Sequence, residues 1–151
     1  MQLSSQEDTK KFAKKISKII KSKDIIFLYG EIGVGKTTFV RYLINHLEVE
    51  NKIQKSDILS PTFNIVYDYD IGEIQIHHYD LYRIKNYKDI LELGMFELSK
   101  NTIKIIEWPE LIKSKPKDRI EIFFQYSKLM DYRKVKILGF GKWKDYKLNE
   151  I

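Results

Sequence analysis

Residues 30–38 read Gly30-Glu31-Ile32-Gly33-Val34-Gly35-Lys36-Thr37-Thr38 and fit the pattern G-x-x-x-x-G-K-[ST]. That is the phosphate-binding P-loop. Its glycines lack a Cβ and accept positive φ, so successive backbone N–H groups can turn inward around an anion. The helix that follows adds its unpaired N-terminal donors and the positive end of its dipole. In such a loop Lys36 brings a point charge to the β- and γ-phosphates, and the Thr37 hydroxyl takes one position on Mg²⁺. Gly33, Val34, Gly35, Lys36, Thr37 and Thr38 are therefore the expected nucleotide-binding residues.

A short glycine pattern also arises by chance, so its flanks matter. Asp24-Ile25-Ile26-Phe27-Leu28-Tyr29 is an apolar run of the kind a buried parallel strand gives. Beyond the loop, Phe39, Val40, Leu43, Ile44 and Leu47 recur at helical spacing. Strand, glycine loop and helix is the context the motif requires.

Working outward toward the N-terminus, Phe12, Ala13, Ile16, Ile19 and Ile20 predict an amphipathic helix, with Ser4 and Glu7 as its capping box. Toward the C-terminus, residues 48–57 form a polar connection. Ile65 to Tyr69 and Ile74 to Tyr79 predict two strands joined at Gly72, a hairpin added antiparallel to the sheet. Asn86 to Lys100 predicts two short helices interrupted by Gly94. Residues 102–106 predict a buried strand that ends in Glu107-Trp108-Pro109-Glu110, because proline cannot continue a sheet. Arg119 to Tyr126 and Arg133 to Phe140 predict a closing pair of strands.

At 151 residues, with 43% hydrophobic and 32% charged side chains, the chain suits one folded domain spanning residues 1–151. The absence of cysteine excludes disulfides and thiolate metal sites. The sequence has no run of membrane-spanning length and no signal-peptide pattern at residues 1–7, so a cytoplasmic location with no membrane partner is expected. The net charge of +6 is spread along the chain among 21 acidic residues, as on a solvated lysine-rich surface.

A P-loop needs a carboxylate near its metal, normally at the C-terminal end of a neighbouring strand. Glu107 stands at such an end, as a metal ligand or as an ordinary surface acid. Thr62, in Ser60-Pro61-Thr62-Phe63, belongs either to a switch loop sensing the γ-phosphate or to a plain turn. Asp80 is placed to orient an attacking water or to cap a helix. His77 and His78 are adjacent, so they face opposite sides of a strand, and joint metal ligation is not expected. A guanine-specific N-K-x-D element is missing: Asn51-Lys52-Ile53-Gln54 has Gln in place of Asp. Adenine is the expected base.

Taken together, the P-loop, Ser60-Pro61-Thr62-Phe63, His78-Tyr79-Asp80-Leu81-Tyr82-Arg83, Leu93-Gly94 and Glu107-Trp108-Pro109-Glu110 resemble the TsaE family. These are small bacterial P-loop ATPases required for threonylcarbamoyladenosine formation in tRNA. The resemblance covers nearly the whole chain, and its most specific parts are His-x-Asp-Leu-Tyr-Arg and Glu-Trp-Pro. One departure is Ile32, where the family usually has Leu. The resemblance implies an ATP/ADP site with Mg²⁺ held by Thr37 and Glu107, and catalytic-site roles for Asp80, Lys36 and Thr62. It further implies action with a TsaB–TsaD pair, with tRNA reached through that complex. ATP hydrolysis would then reset the complex and not itself make the modified base.

The expected fold is α/β: a three-layer P-loop NTPase-like domain with a mixed parallel and antiparallel sheet. A small P-loop kinase is the alternative, but it needs a mobile lid carrying arginines, and Arg41, Arg83, Arg119 and Arg133 are scattered over different elements. A nucleic-acid-binding module is a further rival. It would need stacking platforms and a basic groove, whereas the aromatics here alternate within strands as packing residues do.

Overall fold

A computed structural model describes residues 1–97, 101–129 and 131–146. A short strand β1 (Gln2–Leu3) leads into helix α1 (Gln6–Ser17). The helix is capped by Ser5, whose Oγ accepts from the Asp8 amide at 3.1 Å while the Asp8 carboxylate accepts from the Ser5 amide at 3.0 Å. This capping box lies one residue beyond the expected Ser4 and Glu7. The cause is β1: burial of Leu3 in an edge pairing carries the extended backbone through Ser5, at φ −144°.

Strand β2 (Ile25–Tyr29) runs into the glycine loop, and helix α2 (Lys36–Glu50) follows it, as expected. Strands β3 (Val66–Ile71) and β4 (Ile74–Asp80) form the hairpin, turning at Gly72 with φ +61°. Helix α3 (Tyr87–Glu92) is capped by Asn86. The second short helix expected before residue 100 does not form over residues 93–97. Gly94 takes φ +58° and turns the chain instead, and residues 98–100 lie outside the described residues. Strand β5 (Thr102–Glu107) gives way to a 3₁₀ turn at Pro109–Leu111. Strands β6 (Arg119–Tyr126) and β7 (Arg133–Phe140) pair antiparallel, with a 3₁₀ turn at Gly141–Trp143 beyond them.

The seven strands form one sheet in the order β1-β7-β6-β2-β5-β4-β3. Its centre, β6-β2-β5-β4, is parallel, and antiparallel pairs finish both margins. Side chains alternate between faces along each strand. Ile26, Leu28, Ile76, Ile103, Ile105, Ile120 and Ile122 pack with α1 and α2 in the larger core. Phe27, Tyr79 and Ile106 pack on the other side with Ile90, Met95 and Ile112. The result is three layers on a mixed sheet, the fold expected. All six residues of β5 are buried, as in a central strand covered on both faces. Among the described residues no helix is long and apolar enough to cross a membrane.

Candidate functional site

The glycine loop leaves β2 at the carboxyl ends of the parallel strands, where ligands bind in open α/β sheets. Gly30 is required by a close approach. It has φ +138°, and a Cβ there would lie 2.4 Å from the Phe124 carbonyl oxygen in β6. Gly35 caps α2 at φ +113°, with nothing within 4 Å of where its Cβ would stand. That open concavity at the head of a helix is a cradle for an anion.

Lys36 begins α2 and is buried, its Nζ donating to the carbonyls of Gly30 at 2.7 Å and Glu31 at 3.0 Å. The ammonium lies 3.8 Å from the centroid of the Trp108 ring. Burial pushes its pKa below the usual lysine range, against the opposing pull of Glu107, Glu110 and Asp80. The charge is therefore held in a partly dehydrated place, where an anionic partner gains most.

Strand parity brings the carboxylates in. Glu107 shares the face of Ile103 and Ile105, toward α2, and there it meets Thr37. Thr37 Oγ1 lies 2.9 Å from Glu107 Oε1 and 3.1 Å from Oε2. In the β4–β5 register Asp80 stands opposite Glu107. Asp80 Oδ2 accepts from Ser60 Oγ at 2.6 Å and Thr62 Oγ1 at 2.7 Å, and Oδ1 accepts from the Tyr82 amide at 2.9 Å. Asp80 is thus no helix cap, since α3 is capped by Asn86. It closes an Asx turn and ties the 60–62 loop to the end of β4.

One cavity is lined by Gly33, Gly35, Lys36, Thr37, Thr38, Thr62, Asp80 and Glu107, so all but one of the expected site residues converge. Val34 lies between them in the loop and lines the adjoining cavity with Gly33, Gly35 and Thr38. It is buried in the larger core and anchors the loop by packing.

Three residues at the site went unassigned in the sequence. Ser60 shares Asp80 with Thr62. Trp108, in the left-handed region at φ 58°, ψ 54°, lays its ring under Lys36. His78, fully buried, places Nε2 at 2.9 Å from Glu107 Oε1. The signal for His78 was present in the sequence: two residues before Asp80 on one strand, it had to share the face of Asp80.

The protein-family model described as Threonylcarbamoyl adenosine biosynthesis protein TsaE matches residues 3–135, from β1 into β7, and so encloses the whole site. The chain belongs to the TsaE family. The motifs and the family model agree on this assignment. The tRNA threonylcarbamoyladenosine biosynthesis protein TsaE of Rickettsia felis is 43% identical over 111 residues, covering 74% of this chain and 63% of that one. The match thus spans less than two thirds of that relative's length. The Aquifex aeolicus TsaE is 38% identical over 120 residues, covering 78% of this chain and 80% of that protein. Among solved structures, Bacillus subtilis YdiB superposes with a TM-score of 0.74 at 24% identity, covering 99% of this chain and 90% of that one. That likeness bears on the fold alone, and it agrees with the three-layer architecture described above.

Proposed function

We propose that this TsaE-family chain is a slow, Mg²⁺-dependent ATPase serving tRNA threonylcarbamoyladenosine biosynthesis. In this reading it works in the cytoplasm as a nucleotide switch that resets a TsaB–TsaD-like complex during threonylcarbamoylation of the adenosine beside the anticodon. The observation that carries it is the convergence of Lys36, Thr37, Glu107 and Asp80 on the open cradle at Gly35.

The donor set suits Mg²⁺, a hard cation usually held by one or two protein oxygens together with phosphates and waters. Thr37 Oγ1 and the Glu107 carboxylate are oxygen donors already side by side. Among the described residues no group of three or more His, Cys, Asp or Glu forms a cage for a more fully protein-bound ion. Thr37 and Glu107 would hold the ion, which supplies positive charge to the phosphate oxygens.

The remaining work belongs to the chain itself. The backbone N–H groups of the loop and the head of α2 bind the phosphates. Lys36 exchanges the carbonyls of Gly30 and Glu31 for the β- and γ-phosphates. Asp80 orients a water toward the γ-phosphorus, whose bond to the bridging oxygen breaks to leave ADP and phosphate. Ser60 and Thr62, both bound to Asp80 Oδ2, make the 60–62 loop responsive to that event. Adenine is favoured over guanine because the N-K-x-D element is missing, and tRNA is reached through the partner complex. The kinase alternative has less support. Arg41 is engaged by the Ile58 carbonyl and Arg119 by Glu121, which leaves neither as a lid residue.

Thermal melting tests this reading. A ligand selective for the folded state raises the melting temperature by mass action. ATP with Mg²⁺ should raise it, GTP should raise it less, and Lys36→Ala should lose most of the shift. An equal shift with GTP would remove the adenine assignment. No shift with any nucleotide would overturn the function.

A further inference from the structure

The hydrogen-bonding pattern around Glu107 contains a contact that the proposed reaction does not explain. His78 lies in β4 beside β5, fully buried, and its described hydrogen bond runs from Nε2 to Glu107 Oε1 at 2.9 Å. Its Nδ1 has no hydrogen-bond partner among the described residues. A leucine would fill similar space on this face without burying two ring nitrogens, one of them unpaired, and unpaired buried polar atoms are costly. Packing therefore does not account for an imidazole at this position, whereas a bond to one chosen carboxylate oxygen does.

A carboxylate only accepts, so Nε2 carries the hydrogen in this contact. Glu107 Oε1 then accepts from two donors, His78 and the Thr37 hydroxyl at 2.9 Å. Among the described residues, Oε2 carries only the longer Thr37 contact of 3.1 Å. A carboxylate held by Thr37 alone would be free to turn with that hydroxyl. The second donor, fixed in the sheet, stops this rotation.

We propose that His78 is a positioning residue. It clamps Glu107 Oε1 so that Oε2 is presented to the divalent cation beside Thr37, and thereby sets the affinity of the site for Mg²⁺ in the nucleotide complex. This inference rests on the ATP–Mg²⁺ reading and adds to it a residue outside the metal's own ligands. Such outer partners orient ligating groups, and their loss costs metal affinity even where the ligands stay in place.

The test uses the full chain and three substitutions. The His78→Gln amide nitrogen reaches the place of Nε2. His78→Asn is one methylene shorter and does not, and His78→Leu removes the donor while keeping bulk. ATP affinity is measured by calorimetry in EDTA, then during a Mg²⁺ titration, with melting temperature recorded on the same samples. The Leu and Asn variants should bind ATP in EDTA as the parent does, yet need about ten- to a hundredfold more Mg²⁺ for half-maximal tightening. Gln should recover most of the parental Mg²⁺ response. If Leu does not fold, the Gln and Asn pair carries the same comparison. A parental Mg²⁺ midpoint in the Asn or Leu variant overturns the proposal, as does a folded Gln variant no better than Asn. Loss of folding in Leu and Asn alike assigns His78 to the core and overturns it too. A parent protein whose ATP binding ignores Mg²⁺ would remove the ATP–Mg²⁺ reading itself, and this inference with it.

Discussion

Asp80 takes two hydroxyl hydrogens on one oxygen and an amide hydrogen on the other, all from groups within the 60–62 loop or its own turn. As a helix cap it would tolerate Asn well, because Asn caps about as well as Asp. At this position Asn keeps an acceptor for the Tyr82 amide but turns an N–H₂ toward Ser60 and Thr62. The two hydroxyls lie 2.8 Å apart and can re-pair by rotation, so folding should survive. The negative charge that the proposed reaction sets beside the γ-phosphate is lost. Asp80→Asn should therefore still load ATP, while turnover falls by about ten- to a thousandfold. Melting temperature, ATP affinity and multiple-turnover rate on one preparation test this. Full turnover in the folded variant would end the catalytic assignment. At this scale much of the site was legible, because Lys36, Thr37 and Glu107 occupy fixed places in a motif or at a strand end. For His78 strand parity gave the face, shared with Asp80, but not the partner, which is set by the register between β4 and β5 and which no local pattern encodes.

At the scale of elements, the loop is shaped by β2, which it leaves, and by the neighbouring strand β6. The Phe124 carbonyl in β6 stands where a Cβ on Gly30 would go, and Gly30 also needs its positive φ. Gly30→Ala should thus destabilise the fold by about 1–3 kcal/mol through backbone strain alone, with a further loss of nucleotide affinity as the loop shifts. Urea unfolding would measure the first part, and an unchanged midpoint would contradict the close approach. The β2–loop–α2 unit, the β3–β4 hairpin and the β6–β7 pair were all legible, since apolar periodicity and turn residues mark them. Strand β1 was not, because two residues carry no period, and the cap of α1 moved to Ser5 along with it. Gly94 breaks the helical stretch as expected, with a positive φ, but no second helix forms over residues 95–97, and residues 98–100 lie outside the described residues.

At the scale of the molecule, the mixed sheet could be inferred as a class, but its order could not. Nothing local says that β6 inserts beside β2, or that β1 pairs with β7. The charge of +6 likewise has no single address in the sequence. If tRNA is reached only through partners, free tRNA should bind weakly, lose that binding steeply with salt, and leave ATP turnover unchanged. The purified partner pair should accelerate turnover. Acceleration by tRNA alone would overturn the indirect route.

The strand order also constrains how the protein is made. Both parallel neighbours of β2 come late in the chain: β5 ends at Glu107 and β6 at Tyr126. A polypeptide emerging from the ribosome as far as α2 carries the loop residues on a strand with neither hydrogen-bonded flank, and with no Phe124 carbonyl behind Gly30. Domains generally fold as units during synthesis, and pairings distant in sequence form slowly. On the ATP–Mg²⁺ reading, the glycine-rich segment should therefore gain its grip on a phosphate only after β5 and β6 have joined β2, late in folding and not while the loop itself is being made.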